Sequence, residues 1–414
     1  MASKYQAPRG TFDVLPADAR TRSRIEAAAA AIFARAGYEP IATPAFEDTE
    51  LFERGVGRST DIVRKEMFTF EDKGGRSITL RPEGTAPICR AYLEHGMHKL
   101  AQPVKLSYAG PFFRHERPQA GRYRQFHQIG VEAIGTDSPL ADAEAIMLLS
   151  DLLTELGVPG VELRLGSLGS PQARSAYLEE LKAHLRAHEG ELSKDVRERI
   201  EINPLRAFDA DDEGTRGVMA TAPTIVERLD GEDAEHFDEV RALLEAAGIA
   251  FEIDPTLVRG LDYYTRTIFS FVCDQLGAQS EVGGGGRYDG LIEQLGGPQT
   301  PAVGWAAGIE RVLLALDEAE ESPGRDAFLA VADPGQRRRA LALASELRRA
   351  GLTAEVDLAG RGLKGQLKHA DRIGARRVLI LEADGSAQLR DMESGEQLPV
   401  DPARLFDSLA GGRP

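Results

Sequence analysis

The sequence predicts an α+β core, an antiparallel sheet flanked by helices, broken by a helical insertion and followed by a separate C-terminal α/β domain. Three observations carry this. Between residues 62 and 135, short β-like runs alternate with Gly/Pro turns. Residues 171–250 are helical in pattern and acidic, with 19 acids against 10 bases. Beyond a charged stretch, "DEAEESPGRD", strand and helix patterns alternate, as a largely parallel sheet requires. The chain has 414 residues, and single cores stop growing near roughly 250–300. We therefore expect a first domain over 1–325, interrupted at about 171–250, and a second over 326–414.

The elements follow in order. "DARTRSRIEAAAAAIFARAG" reads as a helix with Ile25, Ala29, Ile32, Phe33 and Ala36 on one face and Gly37 as its stop. "YEPIATPAFE" is extended, because Pro40 and Pro44 hold it out of helix. Residues 104–113 read as a strand, and a second strand returns from 125. Strand signals resume at 257–273, and "AVGWAAGIERVLLAL" reads as a closing helix. In the tail, "AFLAVAD", "TAEVD" and "RRVLILEA" are strands, and "QRRRALALASELRRAG" and "LKGQLKHADRIG" are helices.

Composition excludes several classes. A net charge of −16 argues against a protein that coats nucleic acid non-specifically, although residues 325–414 carry 15 bases and 13 acids and leave a local surface possible. Two cysteines, Cys89 and Cys273, form no CxxC, so a reducing, cytoplasmic setting is expected. No apolar run reaches membrane-spanning length, and "MASKYQAPRG" has no signal-peptide stretch. The eight histidines show no HExxH or similar spacing, so no dedicated metal site is expected. "VGGGGRYDGL" fits no GxGxxG register; its glycines imply a tight turn or the close approach of backbone or ligand.

The chemistry-bearing stretch is "GPFFRHERPQAGRYRQFHQIGVEAIG". A loop carries Arg114, Arg117, Arg122 and Arg124, and planar, permanently charged guanidiniums suit phosphates. Alternation then puts Phe126, Gln128, Gly130, Glu132 and Ile134 on one face, with open space at Gly130 between a carboxamide and a carboxylate. "TLRPEGTAPICR" presents Glu83 and Thr85 beside a turn, either to hold an ammonium group or to cap a helix. "LVRGLDYYTRTIFSF" packs Arg259 and paired tyrosines into the approach to an apolar stretch, a cation that awaits an anion or else a surface salt bridge beside two half-buried rings.

Taken together, "PRGTFDVLP", "TLRPEGTA", "FRHERPQAGRYRQFHQIGVE", "LVRGLDYYTRT", "GGGGRYDGL" and "GWAAGIERV" resemble the histidyl-tRNA synthetase family, a class II aminoacyl-tRNA synthetase family. The tail "DLAGRGLKGQLKHADRIGA" resembles its anticodon-binding domain. The resemblance implies a class II synthetase-like catalytic domain and a ligase that activates L-histidine with ATP, accompanied by Mg2+, then charges histidine tRNA. It also implies a homodimer built around Pro44. By resemblance Arg114 and Arg259 flank the α-phosphate, Arg259 serving where other class II enzymes use a metal ion, with Gly260 sparing space beside it. Phe126 and Arg311 hold adenine, Glu116 lies near its amino group, and Arg122 reaches the terminal phosphate. Glu83 meets the histidine ammonium with Thr85 and Gln128 close by; Glu132 and Tyr264 pair the imidazole, and Tyr263 shapes the wall. Two departures stand out: Ser270, where the family usually has glutamate and where alternation sets it on the face of Tyr264 and Arg266, and the tail "LEADGSAQLRDMESGEQ". The alternative is the synthetase-like regulatory subunit of ATP phosphoribosyltransferase, which lacks the C-terminal domain and usually degrades the arginine motifs.

Overall fold

Val104–Phe113 and Gln125–Ile134 pair antiparallel along ten residues each and stand second and third in an eight-stranded sheet. The computed structural model describes residues 5–57, 60–316 and 324–401, in two units, 1–320 and 321–414. The expected linker lies largely at 317–323, outside the described residues.

In the first unit the strand order is Glu39–Pro40, Val104–Phe113, Gln125–Ile134, Ala302–Gly308, Glu281–Arg287, Thr265–Cys273, Val161–Ser167, Glu252–Ile253. The inner pairs are antiparallel and the two outermost pairs parallel. One face is sealed by a core that includes Ile25, Ile32 and Phe33 of the Pro16–Arg35 helix, Leu149 and Leu153 of Pro139–Leu156, and Val312 of Ile309–Leu316. Apolar spacing of three and four residues gives each helix the stripe it buries. After the first helix Gly37 takes φ +79°, where a side chain would be strained. The opposite face carries a second core and the site described below.

Three sequence expectations for the first unit need correction. "TAPICRAYLE" is not β-like but a helix, Thr85–Glu94; Pro87 is tolerated in its first turn, where N–H groups have no helical partner anyway. "AVGWAAG" is a strand, not the start of a helix: Val303, Trp305 and Ala307 point into the first core, while Gly304 backs onto Glu132, whose carboxylate a Cβ would strike. Residues 171–250 are helical, as Pro171–Ala187, Lys194–Arg199, Glu213–Met219 and Gly231–Ala246, but the last of these is a core helix, burying Phe237, Val240 and Leu244 against the main sheet.

In the second unit the order is Ala354–Val356, Arg325–Val331, Ala375–Leu381, Ala387–Asp391, Gln397–Pro399. The first three strands are parallel, with Arg337–Arg349 covering one face and Leu363–Arg372 the other. The divergent tail adds two antiparallel strands, so the sheet is mixed rather than largely parallel.

Candidate active site

The strands Gln125–Ile134, Ala302–Gly308 and Glu281–Arg287 lie side by side and line a cavity of about 240 Å³. Phe126 and Gln128 come from the first of these strands; Arg114, Glu116 and Arg122 come from the loop before it. Arg311 reaches in from the first turns of the Ile309–Leu316 helix. Glu83 and Thr85 enter at the N-terminus of the Thr85–Glu94 helix, and Arg259, Tyr263 and Tyr264 on the segment before Thr265–Cys273. Of the twelve residues expected to bind histidine or ATP, only Glu132 does not line the cavity; of the four loop arginines, Arg117 and Arg124 do not line it either.

Glu132 is fully buried beneath it, accepting hydrogen bonds from Thr85 Oγ1 at 2.8 Å and Tyr288 Oη at 2.5 Å. Burial pushes its pKa up to about 8. The space at Gly130 is not open either. A Cβ there would lie 2.5 Å from the Tyr108 ring, which also rests on Gly84. That ring lines the cavity where sequence alternation predicts a gap.

Glu83 serves both readings that its sequence allows. Its carboxylate accepts the backbone N–H of Thr85 at 2.8 Å and of Ala86 at 2.9 Å, capping the helix, and lies 3.3 Å from Tyr263 Oη. Burial nonetheless raises its pKa, so a cation beside it would favour the ionised form. Gln128 Oε1, Tyr108 Oη, Trp305 Nε1 and Arg259 Nε are buried polar atoms at the cavity without hydrogen-bond partners among the described residues. Such groups are rare, and four at one cavity suit a polar ligand.

The arginines form one electrostatic cluster. Arg311 is held below its ordinary range first by burial, and the charges of Arg114, Arg122 and Arg259 act in the same direction. Burial likewise lowers Arg114 and Arg122. Arg114 Nε donates to the Pro82 carbonyl at 2.8 Å, with its guanidinium 5.2 Å from the Phe126 ring centroid. The Arg122 guanidinium abuts the Glu116 carboxylate. Arg259 Nη1 donates to Glu281 Oε2 at 2.5 Å, and its guanidinium lies 5.6 Å from the Tyr264 ring centroid.

Room beside Arg259 comes from Gly284, where a Cβ would fall 2.8 Å from Arg259 Nη1, and not from Gly260, which faces open space. This accounts for one of the four glycines of "VGGGG"; the others accommodate neighbouring strands. Strict alternation from Tyr264 to Ser270 also fails. Arg266 adopts φ +46° at an irregularity in strand pairing and turns to Asp233, 3.2 Å away. Sequence reasoning missed Glu281 and Glu310, both at the cavity. Glu310 accepts the backbone N–H of His127 at 2.9 Å. The available signal was an acid just ahead of the glycine run in "SEVGGGG", beside an arginine-rich site.

A family model described as histidyl-tRNA synthetase matches residues 10–312. The chain belongs to the histidyl-tRNA synthetase family. A second model, an anticodon binding domain, matches residues 326–411. Among curated relatives, the histidine–tRNA ligase of Rubrobacter xylanophilus is 48% identical, covering 98% of this chain and all of its own. The apo histidyl-tRNA synthetase of S. aureus is 36% identical over 98% of this chain and 99% of its own, with a TM-score of 0.82. A Bacillus halodurans structure titled as an ATP phosphoribosyltransferase regulatory subunit/histidyl-tRNA synthetase shares the fold, at 23% identity and a TM-score of 0.68, covering 92% of this chain and all of its own.

Proposed function

We infer that the chain ligates L-histidine to its tRNA in two steps. Histidine and ATP give histidyl-adenylate and pyrophosphate, and the histidyl group then moves to the tRNA 3′ end. The observation that carries this reading is the cluster of Arg114, Arg122, Arg259 and Arg311 at a cavity that Glu83, Gln128 and two tyrosines also line. Attack of the histidine carboxylate on the α-phosphorus builds charge on phosphate oxygens, and fixed cations in a dry site lower that barrier. Arg259 and Arg114 take the α-phosphate, Arg122 the terminal phosphate, and Phe126, Arg311 and Glu116 the adenine. Magnesium enters with ATP, as part of the substrate; Glu116 and Glu281, carboxylates at the cavity, are engaged by Arg122 and Arg259.

Glu83 holds the ammonium, with Thr85 beside it. Gln128 Oε1 and the Tyr264 hydroxyl pair the imidazole nitrogens, and Tyr263 shapes the wall. An apolar competitor of similar size would leave these groups unpaired, which is costly. Glu132 acts through Thr85 and Tyr288, both of which it holds.

The regulatory-subunit alternative is not favoured: the matches extend through the anticodon-binding unit, and the arginines are present. That unit, with its slight positive charge, is the one we assign to the anticodon. A homodimer is supported by the small sheet of Phe46–Asp48, Phe68–Glu71 and Ser77–Leu80, where Phe46 and Phe70 share a face with Ile78 and Leu80 yet are 52% and 49% exposed. Among the described residues no helix is long and apolar enough to cross a membrane. A cytoplasmic location is expected from the substrates, tRNA and ATP. Exchange of pyrophosphate into ATP, assayed with each amino acid in turn and followed by charging of unfractionated tRNA, tests the reading. Exchange dependent on histidine alone is the expected result; its absence would overturn it.

A further inference from the structure

Arg259 sits on an irregular segment, so its own backbone does little to fix a long, entropy-rich side chain. Three features fix it instead. The Tyr264 ring lies beside the guanidinium, Gly284 leaves a slot for it, and the Glu281 carboxylate binds Nη1 at 2.5 Å. The same carboxylate oxygen accepts from Ser270 Oγ at 2.9 Å, one strand away. The backbone carbonyl of residue 281 in turn accepts Arg311 Nη1 at 2.7 Å. One residue therefore holds two of the four arginines, one through its side chain and one through its main chain. Only Nη1 of Arg259 is taken by Glu281, and Nε is a buried donor without a partner among the described residues.

Resting on the reading above, we propose that Glu281 is the positioning residue for Arg259, supplying from the glycine-rich strand the carboxylate that Ser270 does not carry. Glu281 touches no reacting atom. It lessens repulsion within the arginine cluster in the ligand-free protein and holds the guanidinium with its remaining N–H groups available to the phosphate. The opposing Arg259 and Arg311 charges keep Glu281 ionised, below the ordinary carboxylate range despite burial. Ser270 is small enough to leave room for the incoming carboxylate and donates its hydroxyl to it.

The test uses the full chain in histidine-dependent ATP–pyrophosphate exchange. Glu281→Gln should lower kcat roughly 10- to 100-fold, the scale of a misplaced catalytic group, while the KM for histidine stays within about threefold. Moving the charge across the strand pair, in Ser270→Glu/Glu281→Gln, should restore kcat to within roughly tenfold of the parent. A merely structural Glu281 would show a lowered unfolding midpoint and no rescue by the second substitution, and that outcome overturns the proposal. So does a Glu281→Gln protein with parental kcat. If the parent itself shows no histidine-dependent exchange, the underlying functional reading fails instead, and the two failures are distinguishable.

Discussion

Arg287 and Arg259 are both arginines withdrawn from solvent, Arg287 ending the Glu281–Arg287 strand opposite Thr265 and Arg259 on the segment that leads into Thr265, and they are solved in opposite ways. Arg287 is fully buried and every N–H is used. Nε and Nη2 meet Asp142, Nη1 donates to the Thr136 carbonyl at 2.8 Å and lies 3.2 Å from Asp289, and Nη2 also reaches the Ser138 carbonyl at 3.1 Å. Arg259 has one carboxylate, an aromatic face and an Nε without a partner among the described residues. A guanidinium whose five donors are all answered within the chain is a rivet. One left incomplete in a cavity, among three other arginines, is set for an anion.

The comparison breaks if the two residues respond alike to truncation. Arg287→Ala leaves Asp142 buried without its cation, so it should cost about 3–5 kcal/mol of folding stability. Denaturant unfolding checks this, and exchange per folded molecule should stay near parental. Arg259→Ala should do the reverse. We expect a fall of roughly 10²–10³ in adenylate formation, typical of losing one fixed transition-state donor, with the unfolding midpoint little changed. Parental exchange in that variant would remove Arg259 from the mechanism.

A buried carboxylate sharpens the same contrast through pH. Glu132 has both oxygens occupied by hydroxyls and a pKa near 8, against about 4.5 for the free side chain. The folded protein thus keeps a proton that the unfolded chain releases. Its contribution to stability is fully present below about pH 4.5 and declines as pH rises towards about 8. Glu132→Gln should remove a slope of at most about 1.4 kcal/mol per pH unit in that window, measured as the difference between parent and variant. Parallel stability curves from pH 5 to 8 would mean that Glu132 is ionised in the folded state.

What the sequence made legible follows from what is local. The first helix, the acidic helical insertion, the long hairpin and the alternating tail were readable because periodicity and turn residues reside in adjacent positions. "AVGWAAG" was misread because its alanines favour helix and it runs straight into the apolar-striped "IERVLLAL", while its strand state is set by neighbours 168 to 180 residues earlier, through Ala302↔Ile134 and Gly308↔Gln128. Eleven of the twelve residues expected to bind histidine or ATP do face one cavity, since the motifs that carry them are short and rigidly placed. Glu132 does not, because Tyr108 fills the gap at Gly130 that alternation leaves open. Glu281 escaped notice for the same reason as the strand: its partner is chosen by cross-strand register, including an irregularity between residues 281 and 283, which no local pattern encodes.

The smallest effect we expect concerns a neutral group. Gln128 Oε1 is buried at the cavity with no partner among the described residues, so the chain already bears the cost of desolvating it. If that oxygen is kept to accept an imidazole N–H, Gln128→Met should raise the KM for histidine about tenfold, equivalent to one neutral hydrogen bond of about 1.4 kcal/mol. The KM for ATP should move far less. The unfolding midpoint should hold or rise, because an apolar side chain of similar volume replaces an unsatisfied one. This is the neutral counterpart of the arginine contrast, since a group left incomplete for a ligand weakens binding when removed and leaves the fold intact. A lowered midpoint with unchanged histidine KM would instead place Gln128 with Arg287, among the residues that hold the sheet together.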